Sequence, residues 1–560
     1  MSLHNSQPKK IKPLHTPQVV VIQNSHTYQD FLIQRPKNTV AFKFSWQDTY
    51  CESLRAPEKK AQAKLLEALK LLKSLKEVDL TDFRAHEFGL SRALSESIFQ
   101  KIAKVKSLSV MRYTYFPHKK TVVTAKWLKY FAGLQDLNYG LSADVYFPAD
   151  EEEGGETEFN DPLQHLKYCP KVQALNLDIF REGCSSDSIS LKFGYFPTSI
   201  KHLYFISSFD HDQLNLPLEK LQQLQSVNID PSPDPWSHYM TALSNLLHLE
   251  NFDLTFQPDF PSGFLDTWRK LTAKKQLKRL HLSLGFHFPT TQEIFDALKD
   301  CQLTHLDLII HTSNLNLLPT ISQCLANQPQ LQSLKLQISG SLILKEAPGF
   351  PELCSQILNL EALRHLQLSF DSSEKGPDFI SSFQRIFAKP IKIETLSLSC
   401  LQADPSVMLQ ELISALKSSG SSLQRLRVDL PRLLKQNSLI EIFPSLENIK
   451  ELKLSELNIN DKIALRNLLE AVKSFKGLTE LEIGRIGGTL TQSEYADGIE
   501  RILKKRGLRK FVCKTGKHMT VKKLKIDVKD ILRKNPFLQD VRIVQRAFEE
   551  NLRGEIYTWI

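Results

Sequence analysis

The sequence predicts an α/β solenoid bent into a horseshoe, with parallel strands on the concave face and helices on the convex face, in about 17 repeats of about 29 residues. Three observations carry this reading. An apolar triplet with the spacing L-x-x-L-x-L recurs along almost the whole chain. Its interval is regular: sixteen steps cover the 463 residues from Val78 to Val541, a mean near 29. Helix-period apolar segments lie between the triplets, as at Leu409, Leu412, Ile413 and Leu416, and at Leu465, Leu468, Leu469 and Val472.

The first copies are the weakest: Leu75/Val78/Leu80, Val105/Leu108/Val110 and Leu134/Leu137/Tyr139. Then come Val172/Leu175/Leu177, Ile200/Leu203/Phe205, Leu224/Val227/Ile229 and Leu249/Phe252/Leu254. The clearest run is Leu277/Leu280/Leu282, Leu303/Leu306/Leu308, Leu331/Leu334/Leu336, Leu363/Leu366/Leu368 and Ile393/Leu396/Leu398. Leu423/Leu426/Val428, Ile449/Leu452/Leu454, Leu478/Leu481/Ile483, Leu508/Phe511/Cys513 and Leu538/Val541/Ile543 complete it. The last two apolar positions alternate as in a short strand with one buried face. Ile294 and Leu298 add a helical pair at i, i+4. A strand and a helix in 29 residues cannot bury their own apolar faces, but stacked copies can.

This pattern resembles the leucine-rich repeat family, particularly its ribonuclease-inhibitor-like class of strand–helix units, over roughly residues 65–560. The resemblance implies a binding protein. One feature departs from it. The family usually places Asn or Cys three residues after the third apolar position; here Leu336 is followed by Ser339, Leu398 by Leu401 and Leu454 by Leu457.

Residues 1–37 are polar and read as a flexible tail, 38–74 as an N-terminal cap, and 75–560 as the solenoid. Val40 to Phe44 partly alternates and begins the cap. An acidic insertion at 148–162 interrupts the repeat; it reads as a solvated loop or as a hook for a basic partner. Composition is ordinary for a globular chain, at 41% apolar and 24% charged, which excludes pervasive disorder and collagen-like structure. Eight Cys without a C-x-x-C pair exclude a disulfide scaffold. No apolar run reaches the length of a transmembrane helix, Met1 to Asn24 lack a secretory apolar core, and no Asn-x-Ser/Thr sequon occurs. The expected setting is the cytoplasm, with the nucleus as the alternative.

Charge is concentrated. Between Arg501 and Lys534 stand 14 basic residues and two acids, a net of +12, so the rest of the chain sums to −2. The candidate patch is Lys504, Lys505, Arg506, Arg509, Lys510, Lys514, Lys522, Lys523 and Lys525. Such a segment attracts phosphates or acidic surfaces, or is simply a solvated end. Its lone aromatic, Phe511, gives no platform for stacking bases. On the concave face, the residue between the last two apolar positions of each triplet points outward. Asp253, His281, Asp307, Lys335, Arg427, Lys453 and Arg542 are the candidates there, within a row that grades from acidic to basic. That gradient suits an extended partner of matching polarity, or marks only a solvated sheet.

No catalytic signature is found: no G-x-x-x-x-G-K-[ST], G-x-S-x-G, H-E-x-x-H or H-R-D. The run Gly484, Gly487, Gly488 reads as a turn after a strand. His165/Cys169 and Cys301/His305 lack a second pair at metal spacing, so no metal or cofactor is expected. Cys513 is expected as a small buried hydrophobe and Cys324 in a convex helix. The expected function is a non-catalytic scaffold or adaptor binding a protein on the concave face. The alternatives are a nucleic-acid or ribonucleoprotein-associated protein acting through the basic segment, and a regulatory subunit or substrate receptor of an enzyme complex. Oligomeric state is not legible.

Overall fold

The computed structural model describes residues 18–22, 39–44, 69, 72, 74–80, 92–117, 126–146, 164–182, 191–192, 195–207, 214–216, 218–230, 236–255, 263–274, 276–284, 291–311, 317–339, 349–371, 386, 392–400, 422–429, 448–459, 461–486, 489–515, 528–538, 540–546 and 555–559. The acidic insertion and the helix expected at Leu409 to Leu416 lie outside them. The chain divides into two compact units, Met1–Asp253 with Phe260–Thr267, and Leu254–Asp259 with Trp268–Ile560.

In the first unit, β1 (Gln18–Ile22), β2 (Thr39–Phe44), β3 (Glu77–Leu80), β4 (Ser107–Pro117), β5 (Asp136–Tyr146) and β6 (Ala174–Glu182) pair in order, all parallel. The strands β7 (Leu191–Lys192) and β9 (Leu214–Asn215) form a separate ladder, while β6 continues through β8 (His202–Ser207) to β10 (Ser226–Asp230). β11 (Asn251–Thr255) follows in sequence. Gln18–Ile22 falls inside the stretch read as a tail; it is a strand held against β2.

Several connections here are 3₁₀ turns, at Lys126–Tyr130, Gln164–Tyr168 and Leu218–Lys220. The cause is a period of three. Leu128/Phe131/Leu134, Leu166/Cys169/Val172 and Leu218/Leu221/Leu224 are all fully buried. Side chains three apart eclipse on a 3₁₀ helix, so this spacing buries one edge where 3.6 would not. The backbone bonds follow suit, Phe131 N–H to Leu128 C=O at 2.9 Å and Leu134 N–H to Phe131 C=O at 3.0 Å.

In the second unit, β12 (Arg279–Leu284), β13 (His305–His311), β14 (Ser333–Ser339), β15 (His365–Asp371), β16 (Thr395–Cys400), β17 (Arg425–Asp429), β18 (Glu451–Ile459), β19 (Glu480–Ile486), β20 (Lys510–Thr515) and β21 (Asp540–Arg546) are parallel neighbours. β22 (Glu555–Trp559) closes the edge antiparallel to β21. Register places like on like: Leu280, Leu306, Leu334, Leu366 and Leu396 form one buried row. Each such side chain contributes roughly 1.5–3 kcal/mol by burial. Helices fill the other side, with Cys324 buried in Leu317–Ala326 as expected. Two starts are set by sequence. Asp461 accepts from Ala464 N at 2.8 Å, and Thr491 with Glu494 makes a capping box.

Gly484 is not in a turn. It lies buried inside β19, where the register against β20 shifts between Ile483 and Arg485. It is the extra residue of a bulge, a position that suits the residue without a side chain.

The side-chain ladder absent after the strands is rebuilt before them. Gln328, 1% exposed, donates to Leu298 O at 2.8 Å and accepts from Leu303 N at 2.9 Å. Asn535 donates to Leu503 O at 3.1 Å and Leu508 O at 2.8 Å, and Cys301 Sγ to Thr272 O at 3.1 Å. Cys169 Sγ donates to Leu128 O at 3.3 Å, and Ser422 Oγ to Ile393 O at 3.1 Å. Each bond joins one repeat to the previous one at the turn entering the triplet. Gln328→Ala is expected to destabilise the second unit by about 1–3 kcal/mol, since the buried Leu303 N–H loses its partner while Leu298 O keeps the bond from Cys301 N–H at 3.1 Å. Hydrogen exchange at Leu303 N–H reads it directly: unchanged protection there contradicts the assignment.

Candidate binding surface

The alternation that buries the leucines turns the residue between them to the helix-free face of the sheet. In the second unit these residues share one register row: His281, Asp307, Lys335, Gln367, Ser397, Arg427, Lys453, Glu482 and Val512, with Arg542 next on β21. His281 to Ser397, Lys453, Glu482 and Val512 are half-buried and Arg427 is exposed. The side chain of Arg542 lies outside the described set. In the first unit Asn138, Asn176, Tyr204 and Asn228 share the corresponding row, and Asn228 Nδ2 donates to Asp253 Oδ2 at 2.7 Å.

Strand neighbours stand about 4.8 Å apart, so charges 28 residues apart in sequence meet across the row. Asp307 Oδ2 takes both Lys335 Nζ at 2.8 Å and His281 Nδ1 at 2.9 Å. Lys453 Nζ lies 4.0 Å from Glu482 Oε2. The row one step back repeats this: Arg425 Nε to Glu451 Oε1 at 2.9 Å, and His365 Nδ1 beside Thr395 Oγ1 at 3.0 Å. Two of the row's bases, Lys335 and Lys453, thus lie beside an acid on the adjacent strand.

Burial pushes the Asp307 carboxyl up, but the hydrogen bonds from His281 and Lys335 outweigh it and hold it below its ordinary 3.8. A depressed carboxylate contributes stability that is present above its unfolded pKa and lost as the pH falls through the folded one. Asp307→Asn is thus expected to lower thermal stability at pH 7, and the gap to wild type should narrow below pH 3.8. A gap that stays constant from pH 7 into that acid range contradicts the pairing. His305, on the row one step back, is held below its usual pKa by burial, then by Arg279 and His365.

The basic segment is not one bare patch. Lys504 binds Glu500 and sits 2.6 Å from Asp530 Oδ2; those bonds raise its pKa. Asp530 also takes Lys534 at 3.2 Å and Arg533 at 2.5 Å, and Lys504 leads the bonds that hold its carboxyl far below the usual range. Lys505 donates to Phe475 O, and burial pushes its pKa down. Lys510 Nζ lies 4.0 Å from Glu480 Oε2. Arg506 and Arg509 are exposed. Lys514 lies on β20 with its side chain outside the described set, as are Lys522, Lys523 and Lys525.

The cysteines considered for metal are committed elsewhere. Cys169 and Cys301 donate to backbone carbonyls, and burial pushes each thiol up to about 12. Among the described residues no group of three His, Cys, Asp or Glu is placed to hold a metal, and no helix is long and apolar enough to cross a membrane. Cys513 is buried, with Tyr495 Oη 3.8 Å from its sulfur. One group escaped the sequence reading: Arg364, Lys392, Glu394, Gln424 and Lys450, which line a cavity at the strand edge. Their signal is positional. They flank the first apolar residue of successive triplets.

Parallel strands in register, a helix or 3₁₀ turn between strands in most of the described connections, and an open polar face decide the architecture. Each unit has the α/β fold of stacked strand-and-helix repeats. No family model and no curated protein matches the sequence. Among solved structures, the chain is similar to TLR13 in its complex with ssRNA13, at 16% identity over 91% of this chain and 59% of that one, with a TM-score of 0.28. It is also similar to the leucine-rich repeat-containing protein LegL7 of Legionella pneumophila, at 16% identity over 59% of this chain and 92% of that one, with a TM-score of 0.31. The chain spans 59% of the TLR13 chain's length.

Proposed function

We propose that this leucine-rich repeat solenoid is a non-catalytic scaffold that binds a protein partner along the open face of its parallel sheet. The observation that carries this is the register row from His281 to Glu482: half-buried or exposed polar side chains on consecutive strands, with Asp307 holding His281 and Lys335, and Glu482 beside Lys453. Such a row is pre-ordered, which lowers the entropy lost on docking. Repeat length near 29 and α-helical connections in the second unit support placement in the ribonuclease-inhibitor-like class. Five buried free thiols, Cys169, Cys301, Cys324, Cys354 and Cys513, support a reducing compartment, cytoplasm or nucleus. The β1–β2 pairing supports an N-terminal cap. The carboxylates around Lys504 and Lys510 weigh against the basic segment as a phosphate-binding surface.

The test is affinity capture from native extract, with and without nuclease, using wild type, Gln367→Trp and Ser397→Trp. Lys473→Glu, on the helix Lys462–Ser474, is the control. The reading expects a discrete protein that survives nuclease, is retained by the control and falls by at least about tenfold with either tryptophan. Loss on nuclease, or capture indifferent to both tryptophans, contradicts it.

A further inference from the structure

At the N-terminal edge of β15 to β18 the second unit carries an open cavity of about 490 Å³. Its walls come from residues on either side of the first buried position of successive triplets. Arg364, Glu394, Gln424 and Lys450 follow Leu363, Ile393, Leu423 and Ile449; Lys392 precedes Ile393. Their backbones are fixed by the repeat itself: Glu394 N–H donates to Arg364 O at 2.8 Å, Gln424 N–H to Glu394 O at 2.9 Å and Lys450 N–H to Gln424 O at 2.7 Å. The side chains therefore stand at strand spacing on a rigid edge, independent of whatever docks on the open face.

The lining holds three cations and one carboxylate, a net of +2. Arg364 is anchored through one nitrogen, its NH1 donating to Glu361 O at 3.2 Å and Leu363 O at 3.0 Å. The rest of its planar fork is left for an oxyanion, the geometry guanidinium groups recognise in pairs of bonds. Lys450 Nζ donates to Gln424 Oε1 at 3.1 Å, which leaves the Gln424 amide N–H₂ as a further donor. Among the described residues, Lys392 and Glu394 form no ion pair with each other or with any neighbour. A carboxylate left in a cationic cavity is an acceptor for a ligand's hydroxyl. The volume lies in the range of small-molecule sites, roughly 300–1,000 Å³.

We infer that this edge cavity binds a phosphate monoester of a small hydroxyl-bearing molecule, with Arg364, Lys392 and Lys450 on the phosphate and Glu394 on a hydroxyl. A monoester carries about −1.5 to −2 charge at neutral pH and matches the lining; a single carboxylate does not.

The probes are glucose 6-phosphate, inorganic phosphate and acetate, titrated calorimetrically into the full chain at constant ionic strength. The inference expects saturable glucose 6-phosphate binding, at least about tenfold tighter than inorganic phosphate, with no acetate binding in the same range. The double variant Arg364→Gln/Lys450→Gln should lose at least about tenfold in glucose 6-phosphate affinity, and Glu394→Gln should erase the preference over inorganic phosphate. Circular dichroism confirms that both variants stay folded; should the double variant not, Lys392→Gln alone carries the same expectation. No saturable binding up to about 10 mM overturns the inference. So do equal affinity for the sugar phosphate and inorganic phosphate, binding of acetate as strong, or affinity indifferent to the variants.

Discussion

Trp268→Ala is expected to destabilise the second unit by about 3–5 kcal/mol. The indole is fully buried on the helix Phe264–Thr272. Its Nε1 donates to Ile294 O at 3.1 Å, tying this helix to Thr291–Ala297 of the next repeat. Alanine removes the largest fully buried side chain among the described residues and the bond together. In a solenoid each repeat leans only on its neighbours, so the loss is local before it is global. Hydrogen exchange should accelerate first in Phe264–Thr272, Thr291–Ala297 and β12, with little change at β19 and β20. Trp268→Phe keeps most of the volume and should cost only about 1–2 kcal/mol, mainly the hydrogen bond. A uniform rise in exchange across the unit, or equal effects of Ala and Phe, contradicts this account.

Gly349→Ala is expected to cost about 2–5 kcal/mol. Gly349 caps the helix Phe350–Asn359 at φ +87°. A Cβ there meets Pro319 Cγ and Cδ at 2.7 Å and its N at 2.9 Å. The left-handed backbone alone costs a residue with a side chain about 1–2 kcal/mol. Overpacking against a rigid ring adds about 1–3 kcal/mol, because Pro319 is fixed within the helix Leu317–Ala326. Gly263 separates the two. It stands at φ +82° with nothing within 4 Å of its added Cβ, so Gly263→Ala should show the backbone part alone. Denaturant midpoints of the two variants measure the contrast; equal costs contradict the contact with Pro319.

The strands were legible because burial on a sheet has period two, and every triplet from Leu75 to Ile543 falls on or just before a strand. The helices were legible where apolar residues ran at 3.6, as in Lys462–Ser474. They were not at Leu128/Phe131/Leu134 and its counterparts, where a spacing of three dictates a tighter turn. Gly484 looked like a turn because the sequence does not show which strand lacks a residue opposite it. The stitches between repeats were hidden by their chemistry: Gln328, Asn535, Cys301 and Ser422 do one job with four side chains, so no letter repeats. The period of two also placed His281, Asp307, Lys335, Arg427 and Lys453 in one register row. Pairing was not legible, because reading along the chain separates Asp307 from Lys335 while the sheet joins them at 2.8 Å. The basic segment was likewise a linear count. The helix Val528–Lys534 brings Asp530 to Lys504, so one acid takes Lys504, Arg533 and Lys534 together.

The most direct test of the open face as the binding surface is site-specific photocross-linking in native extract. A benzophenone amino acid is placed at Ser397, at Gln367, or at Lys473 on a helix. The account predicts one discrete protein cross-linked from Ser397 and Gln367 and none from Lys473. Cross-links from Lys473 alone, or the same products from all three positions, contradict it.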